Sequence, residues 1–246
     1  MKVNDMRLAL PFALALATQA GAQTMTDAQR ADFRAEVRAY LLENPEVIME
    51  AVEILQAREQ QAAAVADAQL ATTYADELFN DPDSFVGGNP DGDITIVEFM
   101  DYRCGYCKRA FPEVASLVAG DGNIRYIVKE FPILGEASMM ASQFAVAVKL
   151  TAGDDAYHDV HNTLMEFRGD ITEQTLVRLS ESFGLDTEAT FAAMNGPDVA
   201  EIIGRNRTLG RYMNITGTPT FVVQTELIRG YIPFDQMAQI VAEIRG

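Results

Sequence analysis

The 246-residue sequence carries 19 Lys and Arg against 36 Asp and Glu, a net charge of −17 at pH 7. An acidic surface of that size repels nucleic acid and anionic lipid, which argues against both as partners. With 48% hydrophobic residues the composition is that of a globular chain, long enough for one sizeable domain and an accessory segment.

Lys2 and Arg7 precede an apolar stretch at residues 8–17 (LALPFALALA), and Ala20-Gly21-Ala22 follows as a small-residue cleavage pattern. Residues 1–22 are expected to be a secretory signal peptide, cut after Ala22. A retained membrane anchor is the alternative, but the stretch is well short of the roughly 20 residues a spanning helix needs. The processed chain is expected in the periplasm, without membrane insertion.

Residues 23–84 read as a helical arm. Thr26 and Gln29 form a capping-box pattern, and Phe33, Val37, Tyr40 and Leu41 make one apolar stripe. Asn44-Pro45 restarts a second helix, in which Val47, Ile48, Ala51, Val52 and Leu55 continue the stripe. From Gln56 to Gln69 the apolar side chains shrink mostly to alanine, which reads as a helical spacer. Stripes this narrow need a covering surface. It is either the main domain or the same arm of another subunit, and the second choice predicts a homo-oligomer.

The cluster Gly87-Gly88-Asn89-Pro90-Asp91-Gly92 reads as a turn that leads into a buried strand at residues 94–100 (ITIVEFM). A helix follows from Cys104 to Gly120, with a kink predicted at Pro112. Residues 123–131 (NIRYIVKEF) alternate as a second strand. Several helical patterns then fill an insertion at about residues 136–212. Residues 219–224 form another strand, residues 227–230 pair with it across Thr225-Glu226, and residues 234–244 close the chain as a helix. The expected class is α/β, with the order β-α-β, a helical insertion, then β-β-α over residues 85–246.

Both cysteines of the chain, Cys104 and Cys107, stand at the start of that first helix in FMDYRCGYCK. Residues three apart are neighbours on a helix, which brings the Cα atoms within the window of about 4.4 to 6.8 Å that a disulfide tolerates. Cys104 would meet the free N–H groups and the macrodipole, which favour its thiolate, and Cys107 would lie one turn deeper. Arg103, Lys108 and Arg109 outnumber Asp101 locally and are expected to lower the thiol pKa further. A purely structural bridge here would close a loop of four residues and contribute only roughly 2 kcal/mol. A zinc site would lack ligands, since the only other candidates are His158 and His161, themselves three apart on one helix. No metal is therefore expected, nor any cofactor. The methionines of the insertion, among them Met139, Met140, Met165, Met194 and Met213, suit core filling or a soft recognition surface.

The segments FMDYRCGYCKRAFP, IRYIVKEFPILG and GTPTFVV together resemble the DsbA-like branch of the thioredoxin superfamily. The resemblance spans residues 85–246 and implies a thioredoxin-like fold with an inserted helical domain. The Cys-Gly-Tyr-Cys centre and the threonine before proline are similar to those of DsbC-type isomerases, and the helical arm is similar to that of ScsC-type proteins of copper-stress systems. The resemblance further implies that Cys104 and Cys107 are a redox-active pair and that Pro219 follows a cis peptide bond beside them. Thr218 then tunes the nucleophile, while Gly105, Tyr106, Gly217 and Thr218 line the client-binding strip. Glu98, on the strand face of Ile94 and Ile96, would be desolvated and would take the proton of Cys107; an ion-paired strand residue is the alternative. The implied partners are unfolded or misoxidised exported proteins and a membrane redox protein that resets the pair. Oxidase and isomerase remain open at this point. So does the use of the same dithiol to handle copper or zinc.

Overall fold

The computed structural model describes residues 25–246, and the expected signal peptide lies outside the described residues. The chain divides into two compact units, one ending at Ala57 and the other running from Arg58 to Gly246. The first holds α1 (Asp27–Glu43) and the beginning of α2 (Glu46–Thr73). At the start of α1 the capping box is complete: the Gln29 N–H donates to Thr26 Oγ1 at 3.3 Å and the Thr26 N–H donates to Gln29 Oε1 at 3.0 Å. Asn44 ends α1 by donating both its backbone and its side-chain N–H to the Tyr40 carbonyl, and Pro45 immediately precedes α2. Phe33, Val37, Tyr40, Ile48, Val52 and Leu55 are exposed.

The second unit is built on a five-stranded sheet in the order β1-β3-β2-β4-β5, with β1 Phe85–Gly88, β2 Ile94–Met100, β3 Ile124–Glu130, β4 Thr220–Val223 and β5 Glu226–Arg229. The run ITIVEFM becomes the central strand β2, parallel to β3 and antiparallel to β4. β1 departs from the expected turn. Phe85–Gly88 pairs antiparallel with β3, and the turn is confined to the residues after it. The β4–β5 turn is Gln224-Thr225 rather than Thr225-Glu226, because Gln224 takes the left-handed conformation (φ 54°) and Glu226 already pairs with Val223.

Helix α3 (Ala75–Phe79) precedes the sheet, α4 (Gly105–Asp121) connects β2 to β3, and α10 (Phe234–Arg245) ends the chain. The insertion comprises α5 (Glu136–Ala152), α6 (Asp154–Glu166), α7 (Glu173–Ser182), α8 (Thr187–Met194) and α9 (Pro197–Tyr212). Strand alternation divides the core. Ile94 and Ile96 pack with Val114 and Leu117 of α4 and Met237 of α10 on one face. Val97 and Phe99 pack with Ala71, Leu78, Leu209 and Met213 on the other. A third cluster belongs to the insertion, where the alanines and serines of α5 let neighbouring helices approach closely; Met165 and Met194 are buried in it. Cys104, Cys107, Met100 and Tyr102 join this cluster, so the cysteines sit where the insertion meets the end of the central strand.

Candidate active site

The loop between β2 and α4 is fixed by Asp101, which has no exposure to solvent. Its Oδ1 accepts from the Arg103 N–H and the Ser138 hydroxyl, both at 2.7 Å, and its Oδ2 accepts from the N–H groups of Ile133 at 2.8 Å and Leu134 at 3.0 Å. A carboxylate with four donors is fully satisfied although buried, and it ties the cysteine loop to the segment after β3. Cys104 then occupies the N-cap of α4. Its Sγ accepts the Cys107 N–H at 3.3 Å and lies 3.1 Å from the Thr218 carbonyl, to which the thiol donates. Both cysteines are free thiols in this structure.

Thr218 and Pro219 are brought to Cys104 from 114 positions away by the antiparallel pairing of β4 with β2, and the peptide bond between them is cis. With that loop against it, Cys104 is only 6% exposed, more covered than an open helix tip would leave it, while Cys107 is fully buried. Gly105, Tyr106 and Gly217 are exposed around the sulfur, and a Cβ on either glycine would meet no atom within 4 Å. Tyr106, 63% exposed, stacks on Tyr231 at 6.5 Å between ring centroids.

The two thiols are driven apart in acidity. A hydrogen bond from the Cys107 thiol draws Cys104 down to about 6; burial opposes this, and the Thr218 side chain and the N–H groups of Cys107 and Tyr106 assist. Burial pushes Cys107 far up, helped by its bond to Cys104 and by the charge on Glu98. The basic residues that the sequence suggested as the cause point elsewhere. Lys108 donates to the carbonyls of Leu164, Met165 and Phe167, Arg109 lies 4.3 Å over the Tyr231 ring, and Arg103 reaches the Gly169 carbonyl. The acidity of Cys104 is therefore the work of its cap position and its neighbouring donors.

Glu98 is 1% exposed on the sheet face beneath α4, and burial raises it to about 7 against the opposing hydrogen bond from the Tyr126 hydroxyl. It carries no ion pair among the described residues, and the charge of Cys104 raises it further. His161 is buried, with its Nδ1 3.0 Å from the Tyr102 hydroxyl, whereas His158 is exposed. Among the described residues no group of three or more side chains is placed to hold a metal ion.

Two features escaped sequence reasoning. Tyr126 was only an alternating strand residue, and its bond to Glu98 depends on strand register. Glu130, buried and raised to about 7 by burial, accepts from the hydroxyls of Tyr102, Tyr157 and Ser142, all at 2.7 Å. Nothing in the local sequence marks that cluster, which joins β3 to α5 and α6.

Comparison with known proteins places this geometry among relatives. Residues 95–242 match the model of the DSBA-like thioredoxin domain, and residues 29–62 match that of the copper resistance protein ScsC N-terminal domain. A thioredoxin-like oxidoreductase from Silicibacter pomeroyi superposes with a TM-score of 0.65 at 40% identity, over 69% of this chain and 96% of that one. BcfH of Salmonella enterica Typhimurium superposes with a TM-score of 0.73 at 30% identity, over 89% of this chain and 97% of that one. Disulfide bond formation protein D of Bacillus subtilis is 25% identical over 170 residues, 65% of this chain and 76% of that protein. The chain also matches Na(+)/H(+) antiporter NhaA 3 of Salinispora tropica, at 28% identity over 58% of its own length, and spans only 22% of that longer protein. Among the described residues no helix is long and apolar enough to cross a membrane.

Proposed function

Because the chain belongs to the DSBA-like thioredoxin domain family, whose members are thiol:disulfide oxidoreductases, we propose that it exchanges disulfides with exported proteins in the periplasm through Cys104 and Cys107. One observation carries the reading: a thiol drawn down to about 6 at a helix N-cap, beside a buried partner thiol pushed far up. At neutral pH such a pair holds its nucleophile ionised and its resolving thiol in reserve.

In the reducing direction the Cys104 thiolate attacks a client disulfide, forming a mixed disulfide and releasing one client thiolate, which takes a proton from solvent. Glu98 accepts the Cys107 proton. The resulting thiolate attacks Cys104 Sγ, leaving the Cys104–Cys107 disulfide and the second client thiolate, so that two electrons have passed to the client. Oxidation of a client dithiol is the reverse, and isomerisation ends when a second client thiol, in place of Cys107, attacks the mixed disulfide. Exposed Gly105, Tyr106 and Gly217, with half-buried Thr218 beside them, would form the strip on which the client chain lies, with Pro219 behind it. A membrane redox protein would reset the pair. A low Cys104 pKa stabilises the dithiol and makes the disulfide oxidising.

Mixing the reduced protein with a fluorescent disulfide-bonded peptide tests the assignment. Cys104→Ser is expected to abolish exchange and Cys107→Ser to accumulate a covalent adduct; exchange by Cys104→Ser at the normal rate would remove the proposal. Alkylation trapping in periplasmic extracts separates the directions, a reduced resting pair pointing to isomerase and an oxidised one to oxidase. The arm, with Phe33, Val37 and Tyr40 exposed on α1, supports a homo-oligomer. Light scattering should then give a multiple of the monomer mass that Tyr40→Asp reduces.

A second reading rests on the match of residues 29–62 to the ScsC N-terminal domain. In it the two thiolates hold Cu(I), a soft ion suited to sulfur. Stoichiometric Cu(I) capture from a chromophoric chelator, with no exchange on the disulfide peptide, would favour it over the first.

A further inference from the structure

We propose that Tyr126 passes the proton of Glu98 to and from solvent through the cleft bounded by β1, β3, α4 and α6. The inference rests on the reading of Glu98 as proton acceptor for Cys107. Once Glu98 has taken that proton, the proton must leave before the next cycle, and Glu98 at 1% exposure has no direct path to water. Its Oε1 has no hydrogen-bond partner among the described residues. Its Oε2 accepts from the Tyr126 hydroxyl. That hydroxyl is thus the one protein group bonded to the carboxyl among the described residues.

Tyr126 is only partly buried and helps to line a cleft of about 510 Å³, with Phe85, Phe111, Val114, Val118 and His161 around it. A space of that size holds many waters at about 30 Å³ each. His161, another lining residue, has its Nδ1 against the Tyr102 hydroxyl and its Nε2 buried without a protein partner among the described residues. The relay is a proton switch at one oxygen. Glu98 donates its proton to the phenol oxygen while the phenol proton passes to a water of the cleft, and Tyr126 is neutral before and after. The reverse transfer loads Glu98 when Cys107 leaves as a thiolate.

The groups that bear on Glu98 are Cys104 at the N-cap of α4, through its charge, and the Tyr126 hydroxyl from β3; the charge of Glu98 in turn raises Cys107 of α4 and Tyr157 of α6, and β4 sets Phe221 opposite it. Among them Tyr126 is the one bonded to the carboxylate, and its hydrogen bond opposes the rise to about 7 that burial causes. Removing only the hydroxyl therefore has two effects with one sign. The carboxylate loses its stabilising donor and the proton loses its exit.

Reaction of the reduced protein with 5,5′-dithiobis(2-nitrobenzoate) resolves both steps, because attack by Cys104 releases a first thionitrobenzoate and attack by Cys107 on the mixed disulfide releases the second. With Tyr126→Phe the first phase should be unchanged and the second slowed about tenfold at neutral pH, with its pH midpoint about one unit above that of the wild type. Glu98→Gln should slow the second phase and remove that midpoint. If Glu98→Gln leaves the second phase as in the wild type, the reading of Glu98 fails. If Glu98→Gln slows it while Tyr126→Phe keeps the wild-type rate at neutral pH, the role of Tyr126 is overturned and that of Glu98 stands.

Discussion

Cys107→Ala isolates what holds Cys104 ionised. In the native site Cys104 is drawn from its ordinary 9.0 to about 6, first by the Cys107 thiol and then by the Thr218 side chain and the N–H groups of Cys107 and Tyr106. Alanine removes the thiol but keeps the backbone N–H that reaches Cys104 Sγ at 3.3 Å. A hydrogen bond to a charged group is worth about 1.5 to 3 kcal/mol, or about one to two pH units at 1.36 kcal/mol per unit. The Cys104 midpoint should therefore rise to about 7 to 8, and the remaining donors should keep it below 9.0. The variant contains one cysteine, so the ultraviolet absorbance of the thiolate followed against pH titrates a single group, and the pH dependence of alkylation by iodoacetamide checks it. A midpoint still near 6 would show that the Cys107 thiol contributes nothing. A return to the ordinary value would show that the helix end contributes nothing, and the argument from the cap position would go with it.

Stability should fall as pH rises above 4.5 in the reduced protein. Glu98 and Glu130 are both raised from 4.5 to about 7, so the folded state binds more protons than the unfolded state in that window. Their contribution is complete below 4.5 and is lost through 7, at roughly 3 kcal/mol for each group. His161, held by burial from 6.5 down to about 3, has the opposite sign across that same window and offsets about one of the two carboxyls; Cys104 also has the opposite sign but acts only above about 6. Urea denaturation between pH 4.5 and 6 should therefore show a shallow fall in stability that Glu130→Gln nearly abolishes, and equal slopes for the two proteins would contradict the assignment. Gly210→Ala should cost about 1 to 3 kcal/mol, because its Cβ would lie 2.4 Å from Cε2 of Phe131, a ring 3% exposed and packed edge-on against Phe99. Gly204→Ala on the same helix meets no atom within 4 Å and should be neutral or stabilising; comparable urea midpoints for the two variants would show that contact with Phe131 is not what requires glycine.

Much of the site was legible because its signals are local. ITIVEFM reads as a buried strand from its β-branched run, and the cysteines at its end inherit a helix start whatever the rest of the chain does. The capping box at Thr26 is equally local, and both of its hydrogen bonds are formed. β1 was not legible, since two of its four residues are glycines, and Gly88 sits at φ 67° with the Ile124 carbonyl 2.4 Å from where a Cβ would stand. Those glycines look like a turn to any local rule; close approach to β3 is what requires at least the second of them.

The charges near the cysteines show the same limit from the other side. Arg103, Lys108 and Arg109 are adjacent to the pair in sequence, yet helix geometry and three carbonyls at the end of α6 decide where Lys108 goes, and none of that is written near position 108. Proximity along the chain thus overstated the role of the basic residues. It also hid Tyr126, which lies 28 positions from Glu98. In the parallel pairing of β2 with β3, Glu98 stands opposite Val128 and Tyr126 stands opposite Ile96, on the face that Ile96 shares with Glu98. A diagonal neighbour on a shared face is within reach of a long side chain, so once the register is known the contact between tyrosine and glutamate follows from strand geometry. Register is set by the packing of the whole sheet, and for that reason the thiol pair could be found by its motif, whereas the contact between Tyr126 and Glu98 had to wait for the fold.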